Sequence, residues 1–439
     1  MRSGEWWLIV ALVAVLATPL LTPPWWIVTP ERANAAFAFD QRLALALWLT
    51  ALTALFVWAS RVSVRARRIA LGVLLVGCFL LPPLGSGDSF GAVGRSVGVP
   101  VGTDPYLTLP SGPVADEWLL AGSWTDLPTP YGPFWHAFPG WLYALTGSVP
   151  SAALLLRLVA ALAAVGCVLF LSVATRVPAG LMALAPLLAF EAANNGHPDV
   201  LIVLLALVAW VCAGQRSRLV TGLALVAAIA IKPPAGLLVL AFLVTGTTRQ
   251  RLLTTLIVGL GSVLVYAPSL VDGGLFAMFS TFSKVIVYAE LAPFVALTWP
   301  VVSRLPLLDG QPPSPGLTLL TLRLLGILVA AVATVLAFRH RPRLGERIFL
   351  TALFAFIFIP SAYLQPWYLL WVIPLAAVVS PRHRPWIIVG VVTAWLVSYL
   401  FISTTIGYAL GLAVALSGRW LQRWSGQRSV PVAPGAGSA

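Results

Sequence analysis

The sequence predicts an all-α protein that crosses a membrane many times, and three observations carry that prediction. Hydrophobic residues make up 59% of the 439-residue chain and charged residues only 9%, whereas about a quarter of residues are charged in soluble domains. Mean hydropathy is +0.94. Apolar runs that can cross a bilayer, alone or as helical pairs broken by proline, recur along nearly the whole chain, which gives about 12–14 transmembrane helices.

Taken in order, the run at 6–22 is a span, because the small-residue stretch Ala33-Asn34-Ala35 lies too far beyond it to be a signal-peptide cleavage site. Spans follow at 43–60 and 69–84. Next comes the longest stretch outside the spans, 85–150, rich in Gly, Pro and Trp and holding Asp88, Asp104, Asp116, Glu117 and Asp126. A loop of that length with that aromatic content reads as functional rather than disordered. Within it "GPFWHAFPGWLYALTG" (132–147) predicts an interfacial helix with Trp135, Trp141 and Tyr143 at headgroup depth.

Further spans are expected at 151–174, 179–191, 198–213, 220–231, 235–246 and 252–267. Residues 179–213 make a hairpin with the turn "EAANNGHPD", and 220–246 another with "AIKPPAG". Pro198, Pro233 and Pro234 break helices there, and broken helices at membrane depth survive only where protein or water satisfies the freed backbone groups. Each turn carries ionisable side chains, which marks a cavity. A second outer segment, 268–315, is followed by apolar runs at 316–338, 348–361, 367–380, 386–402 and 403–417. Residues 1–424 thus read as one membrane domain and 425–439 as a disordered tail. No internal repeat is evident.

Charge sets the expected orientation. With the N-terminus inside, most of the 27 Lys and Arg fall on cytoplasmic segments, among them Arg61 to Arg68 and Arg339 to Arg347, while only Glu5 and Glu346 of the 14 acids do. The positive-inside rule then places both termini in the cytoplasm of a multi-pass cell-membrane protein, with any chemistry on the extracytoplasmic face. The net charge of +13 is spread over loops that meet anionic lipids, so nucleic acid is excluded as a partner. Cys78, Cys167 and Cys212 lie in spans and read as small buried residues, not as a disulfide or metal framework.

The outer side offers Asp88, Asp104-Pro105-Tyr106, "WTDLPTPYGPFW" (124–135), Glu191, "NNGHPD" (194–199), Lys232 and "YLQPWYLLW" (363–371). Carboxylates, an imidazole, a lysine and aromatic rings suit a sugar, whose faces stack on rings and whose hydroxyls carboxylates grip or deprotonate. Their order and spacing resemble the GT-C membrane glycosyltransferases: Asp88 with Phe90, Gly102 to Tyr106, Trp124 to Pro133, Asn195 to Asp199, Lys232-Pro233 and Gln365 to Trp371. The chain is most similar to the actinobacterial polyprenol-phosphate-mannose-dependent mannosyltransferases that build α-1,6-mannan backbones. The likeness runs from about residue 70 to 380.

That resemblance implies an inverting transfer of a mannosyl or other hexosyl group from a polyprenyl-phosphate donor to an extracytoplasmic glycan or glycolipid. It implies Asp88 as the catalytic base. Substrate contacts are expected from Asp104, Tyr106, Asp126, Tyr131, Glu191, His197, Asp199, Lys232, Gln365, Trp367 and Tyr368. The leaving phosphate needs cations, for which Lys232, Arg157 and Arg323 are candidates. No cofactor beyond the lipid-linked co-substrate is implied. A metal on Glu191, His197 and Asp199 lacks a distinctive ligand spacing, so none is assigned.

Several residues keep a structural alternative. Asp104 suits a turn before Pro105; His197 and Asp199 suit a helix cap with Asn194 and Asn195 serving the turn. Lys232 suits a snorkelling helix end. Tyr131, Trp367, Tyr368 and Trp371 suit an aromatic belt. The alternative for the whole chain is a secondary transporter or a flippase for a lipid-linked sugar, which also uses broken helices but binds near the midplane between repeats. Nothing in the sequence fixes an oligomeric state.

Overall fold

The computed structural model describes residues 3–20, 39–59, 61–84, 86–118, 128–175, 179–214, 217–236, 247–278, 299–304, 365–373, 384–401 and 404–424, with isolated positions within 238–242 and 314–328. Among the described residues every regular element is helical, as the composition requires. Among the described residues three helical stretches are by themselves long and apolar enough to cross a membrane: Arg42–Ala59, Val149–Phe170 and Thr248–Val271. Shorter apolar helices accompany them, including Glu5–Ala17, Asp199–Ala213 and Arg384–Leu400. The expected run at 348–361, most of that at 316–338, and the tail at 425–439 lie outside the described residues.

Helices α1 (Ser3–Ala17), α2 (Phe39–Ala59) and α3 (Val64–Leu80) pack side by side. Their buried faces repeat every three or four residues: Leu8, Leu12 and Leu16; Leu45, Leu49, Leu52 and Phe56; Leu71, Leu74 and Cys78. The Ser63 side chain caps α3 by accepting the Ala66 N–H. Arg65, Arg67 and Arg68 oppose the helix dipole in that first turn, so they serve anchoring and not helix stability. Pro82 and Pro83 follow the end of α3 and stop it.

The stretch expected as a long loop is itself built of helices: α4 (Asp88–Gly98), α5 (Pro113–Trp118) and α6 (Pro133–Thr146). Three glycines make α4 a poor helix by propensity, yet they let neighbours close on it. A Cβ on Gly98 would meet the Ala115 methyl, and one on Gly140 of α6 would meet the Ser96 hydroxyl. Ser96 donates to the His136 carbonyl and accepts the Gly140 N–H, which ties α4 to α6. A helix covers the stretch expected for the interfacial one, but Trp135, expected at headgroup depth, is buried in the protein while Trp141 is exposed. The helix starts with Pro133 at N1 and ends at Gly147, whose φ of +68° is the left-handed cap that glycine supplies.

Helix α7 (Val149–Thr175) is followed by a short turn α8 (Ala185–Leu188) that runs into a π-helical turn, Ala189–Asn194. Then come α9 (Asp199–Gly214), α10 (Arg218–Ile231) and α11 (Thr248–Val271). On α11 the exposed residues Leu252, Leu256, Leu260 and Leu264 form a stripe every fourth residue. That outward face is as apolar as a core, which only a lipid surround tolerates. Helices α12 (Arg384–Phe401) and α13 (Thr404–Trp424) form a close hairpin in which Gly390 and Gly411 each abut the other's carbonyl, the small-residue contact typical of membrane helices. The apolar run expected from 367 opens instead as a 3₁₀ turn, Pro366–Trp371. Pro366 starts it and its aromatic rings turn into the protein.

Candidate active site

The site is assembled where α3 ends, α4 begins and the π-turn leads into α9. Asn194, the last residue of the π-turn, is fully buried. Its amide donates to the Cys78 and Pro82 carbonyls at 3.0 and 2.9 Å and accepts the Leu84 N–H at 2.8 Å. Arg157 of α7 reinforces the same knot, donating to the Phe79 and Leu81 carbonyls at 2.5 and 2.6 Å. Together they satisfy carbonyls that α3 leaves open at its C-terminus. Gly196 then turns the chain with φ +76°, and a Cβ there would come within 2.9 Å of Arg157 Cγ. The start of α4 is thereby held against the 195–198 turn.

Asp88 occupies the first turn of α4, where a carboxylate is favoured by the helix dipole. Its Oδ2 lies 3.4 Å from His197 Nδ1, and His197 Nε2 lies 3.5 Å from Glu191 Oε2. The imidazole is stacked on Trp367 with ring centres 3.9 Å apart and planes 17° from parallel. Glu191 Oε1 accepts from Trp395 Nε1 at 2.7 Å and from the Tyr399 hydroxyl at 2.9 Å. Asn195 donates to Glu191 Oε2 at 3.3 Å.

A second charged group adjoins the first. Lys232 Nζ contacts both oxygens of Asp199 at 3.1 Å, and Trp371 Nε1 donates to Asp199 Oδ1 at 2.7 Å. The ammonium sits 3.9 Å from the centre of the Tyr368 ring and 5.9 Å from that of Tyr131, so cation–π attraction adds to the ion pair. Burial pulls the Lys232 pKa below its ordinary value against the opposing pull of Asp199. Burial also raises that of Asp88 and lowers that of His197.

Other expected residues sit behind this front. Tyr106 is fully buried and donates to the Tyr131 carbonyl at 3.0 Å while stacking on Tyr266. Asp104 Oδ1 accepts the Tyr106 N–H at 2.7 Å, a side-chain turn of the kind its position before Pro105 suggests. Gly132 donates its N–H to the Ile231 carbonyl at 2.9 Å and leaves no room for a Cβ against the Ala230 carbonyl, which seats Tyr131 beside Lys232. Gln365 is buried, and its Nε2 has no hydrogen-bond partner among the described residues. Asp126 and Arg323 lie outside the described residues. Arg157, expected to face a phosphate, is turned to backbone carbonyls instead. Among the described residues no three His, Cys, Asp or Glu side chains are grouped to hold a metal ion.

This arrangement offers one partly open carboxylate, two buried ones and a ring-walled cation. The profile of the alpha-(1->6)-mannopyranosyltransferase N-terminal domain matches residues 7–249, more than half of the chain. The chain belongs to that family. It is an α-mannosyltransferase of the GT-C type, and its apolar helices make it a membrane protein. No curated protein matches it. In this mannosyltransferase every part of the polar cluster up to Lys232 falls inside the matched region. Gln365, Trp367, Tyr368 and Trp371, which close the cluster, lie beyond it.

Sequence reasoning missed Trp395 and Tyr399 of α12, which hold Glu191. Their spacing of four residues puts both polar tips on one helix face, a signal legible only once a buried acid is known to face them. Of the two readings open for Trp371, belt or site, the structure shows it in the site as a hydrogen-bond donor to Asp199.

Proposed function

We propose that this mannosyltransferase takes a mannosyl group from a polyprenyl-phosphate donor and places it, with inversion, on an extracytoplasmic glycan or glycolipid, with Asp88 as base. One observation carries the assignment of the base. The Asp88 side chain keeps 27% exposure, while Glu191 and Asp199 have none and are wrapped by indole, phenol or ammonium donors. Only Asp88 of the three can meet an acceptor hydroxyl.

In the transfer, the acceptor O–H proton passes to Asp88 as the acceptor oxygen bonds to the sugar C1. The C1–O bond to phosphate breaks and its electron pair leaves with the phosphate. A positioned carboxylate base is worth about 10²–10⁴ in rate. Lys232, between the Tyr131 and Tyr368 rings, is the cation we assign to the leaving phosphate, where charge develops in a water-poor site. Tyr131, Trp367, Tyr368 and Gln365 supply ring faces and an amide for the sugars. Tyr106 and Asp104 buttress Tyr131. The exposed Phe134, Trp141 and Leu145 of α6 offer an apolar surface next to Tyr131 for the polyprenyl chain.

The test of the donor class is transfer by the reconstituted protein from polyprenyl-phosphate mannose and, separately, from a nucleoside-diphosphate mannose. Product sensitive to α-mannosidase is expected from the lipid donor alone. Transfer from the nucleotide sugar alone would overturn the reading.

A further inference from the structure

His197 is fully buried, and its two nitrogens face two different carboxylates, Asp88 at 3.4 Å and Glu191 at 3.5 Å, with no aligned hydrogen bond to these or to any other group among the described residues. The Trp367 ring fixes its plane. The string has one open end, at Asp88, and one closed end, where Trp395 and Tyr399 hold Glu191. A neutral imidazole carries one N–H and one lone pair, so it can donate to only one of two carboxylates. One additional proton in the string resolves that mismatch. The sequence suggests substrate contact for both residues; their complete burial favours a role behind Asp88.

We propose that His197 is a positioning residue that passes the proton taken up by Asp88 on to Glu191, so that Asp88, His197 and Glu191 act as one proton-holding unit. This rests on the reading of Asp88 as base. Before transfer, His197 Nε2–H donates to the Glu191 carboxylate and the Nδ1 lone pair faces Asp88. After Asp88 has taken the acceptor's proton, that proton moves to Nδ1 while the Nε2 proton moves to Glu191. Asp88 is again a carboxylate, Glu191 is a carboxylic acid, and the imidazole has changed only its tautomer. When product leaves, the reverse shift returns the proton to Asp88 and through its exposed edge to water.

The surroundings agree with a carrier that does not retain the proton. Burial and the Lys232 charge hold the His197 pKa well below its ordinary value. Lys232 and Asp199 face the unit from α9 and the end of α10, Arg95 and Tyr131 act on Asp88, and Tyr399 meets Glu191 from α12. Separations of 3.4–3.5 Å are loose for proton transfer, as catalytic contacts often are before substrate binds.

The experiment uses the full-length protein in liposomes with polyprenyl-phosphate mannose and a mannan acceptor, comparing native protein with His197→Gln, Glu191→Gln and the double variant. Glutamine keeps bulk and hydrogen bonding but carries no proton. Each single variant is expected to lose kcat by about 10–100-fold, less than the ~10²–10⁴ of a base that meets the reacting hydroxyl directly, with both KM values little changed and the acid limb of the pH profile displaced. The double variant should be no slower than the slower single, because residues acting as a unit are not additive. Losses confined to KM, an unmoved acid limb, or two losses that multiply would overturn the relay. If His197→Gln does not fold, the acid limb of Glu191→Gln decides alone. Failure of native transfer, or full transfer by Asp88→Asn, would instead overturn the assignment of the base on which the relay rests.

Discussion

At the scale of the residue, Asp88 differs from Glu191 and Asp199 by environment and not by chemistry. All three are carboxylates in an apolar chain, and only Asp88 meets solvent. Burial raises the Asp88 pKa, and a base works only when ionised. Activity should therefore fall as pH drops through a value above the ~4 of an ordinary aspartate, which a pH profile of kcat/KM would show. An acid limb at or below the ordinary carboxylate range would mean a different, better solvated base. Asp88 was legible in the sequence because an acid directly after an apolar run is conspicuous. The surroundings of His197 and Glu191 were not, since α4 and the 366–371 turn meet the imidazole and α12 meets Glu191 from places far apart in the chain.

At the scale of the element, helix α4 shows why the 85–150 stretch read as a loop. Gly91, Gly94 and Gly98 depress helix propensity, and what restores the helix is tertiary: α5 closing on Gly98 and the Ser96 bonds to α6. The π-turn at 189–194 is similarly invisible to hydrophobic periodicity, whereas the apolar runs at 386–402 and 403–417 read directly as the helices of the α12–α13 pair. Arg157 belongs to this scale as well. An arginine in an apolar span suggested a phosphate ligand, but its guanidinium closes the end of α3. Arg157→Met is expected to leave the Phe79 carbonyl without its donor and the Leu81 carbonyl with Asn194 alone, at a cost of about 1–3 kcal/mol, seen as a lower unfolding temperature in detergent, with the donor KM of the folded fraction unchanged. A tenfold rise in donor KM at unchanged stability would restore the phosphate role.

For the whole molecule, composition alone prescribes the all-α membrane fold, and the lipid-facing leucines of α11 show the same rule in the packing. The arginine bias predicts the orientation. The account puts the 86–118 segment outside and the Arg61 to Arg68 segment in the cytoplasm. Cysteines placed at the exposed positions Ser111 and Arg65 should react with an impermeant maleimide in intact cells at 111 only, and at 65 only after lysis. The opposite pattern would invert the topology and move the chemistry to the cytoplasmic face. Family membership favours a transferase over the transporter alternative, and the wrapped, immobilised state of Glu191 and Asp199 suits a fixed catalytic framework better than an alternating one.

The central claim is that Asp88 takes the acceptor's proton during mannosyl transfer from a lipid phosphate. Its most direct test is single-turnover transfer from radiolabelled polyprenyl-phosphate mannose to a mannan acceptor by native protein and by Asp88→Asn in the same membranes, with donor binding measured alongside. The account predicts a rate lowered by about 10²–10⁴ with donor binding retained. Equal rates in the two proteins would contradict it.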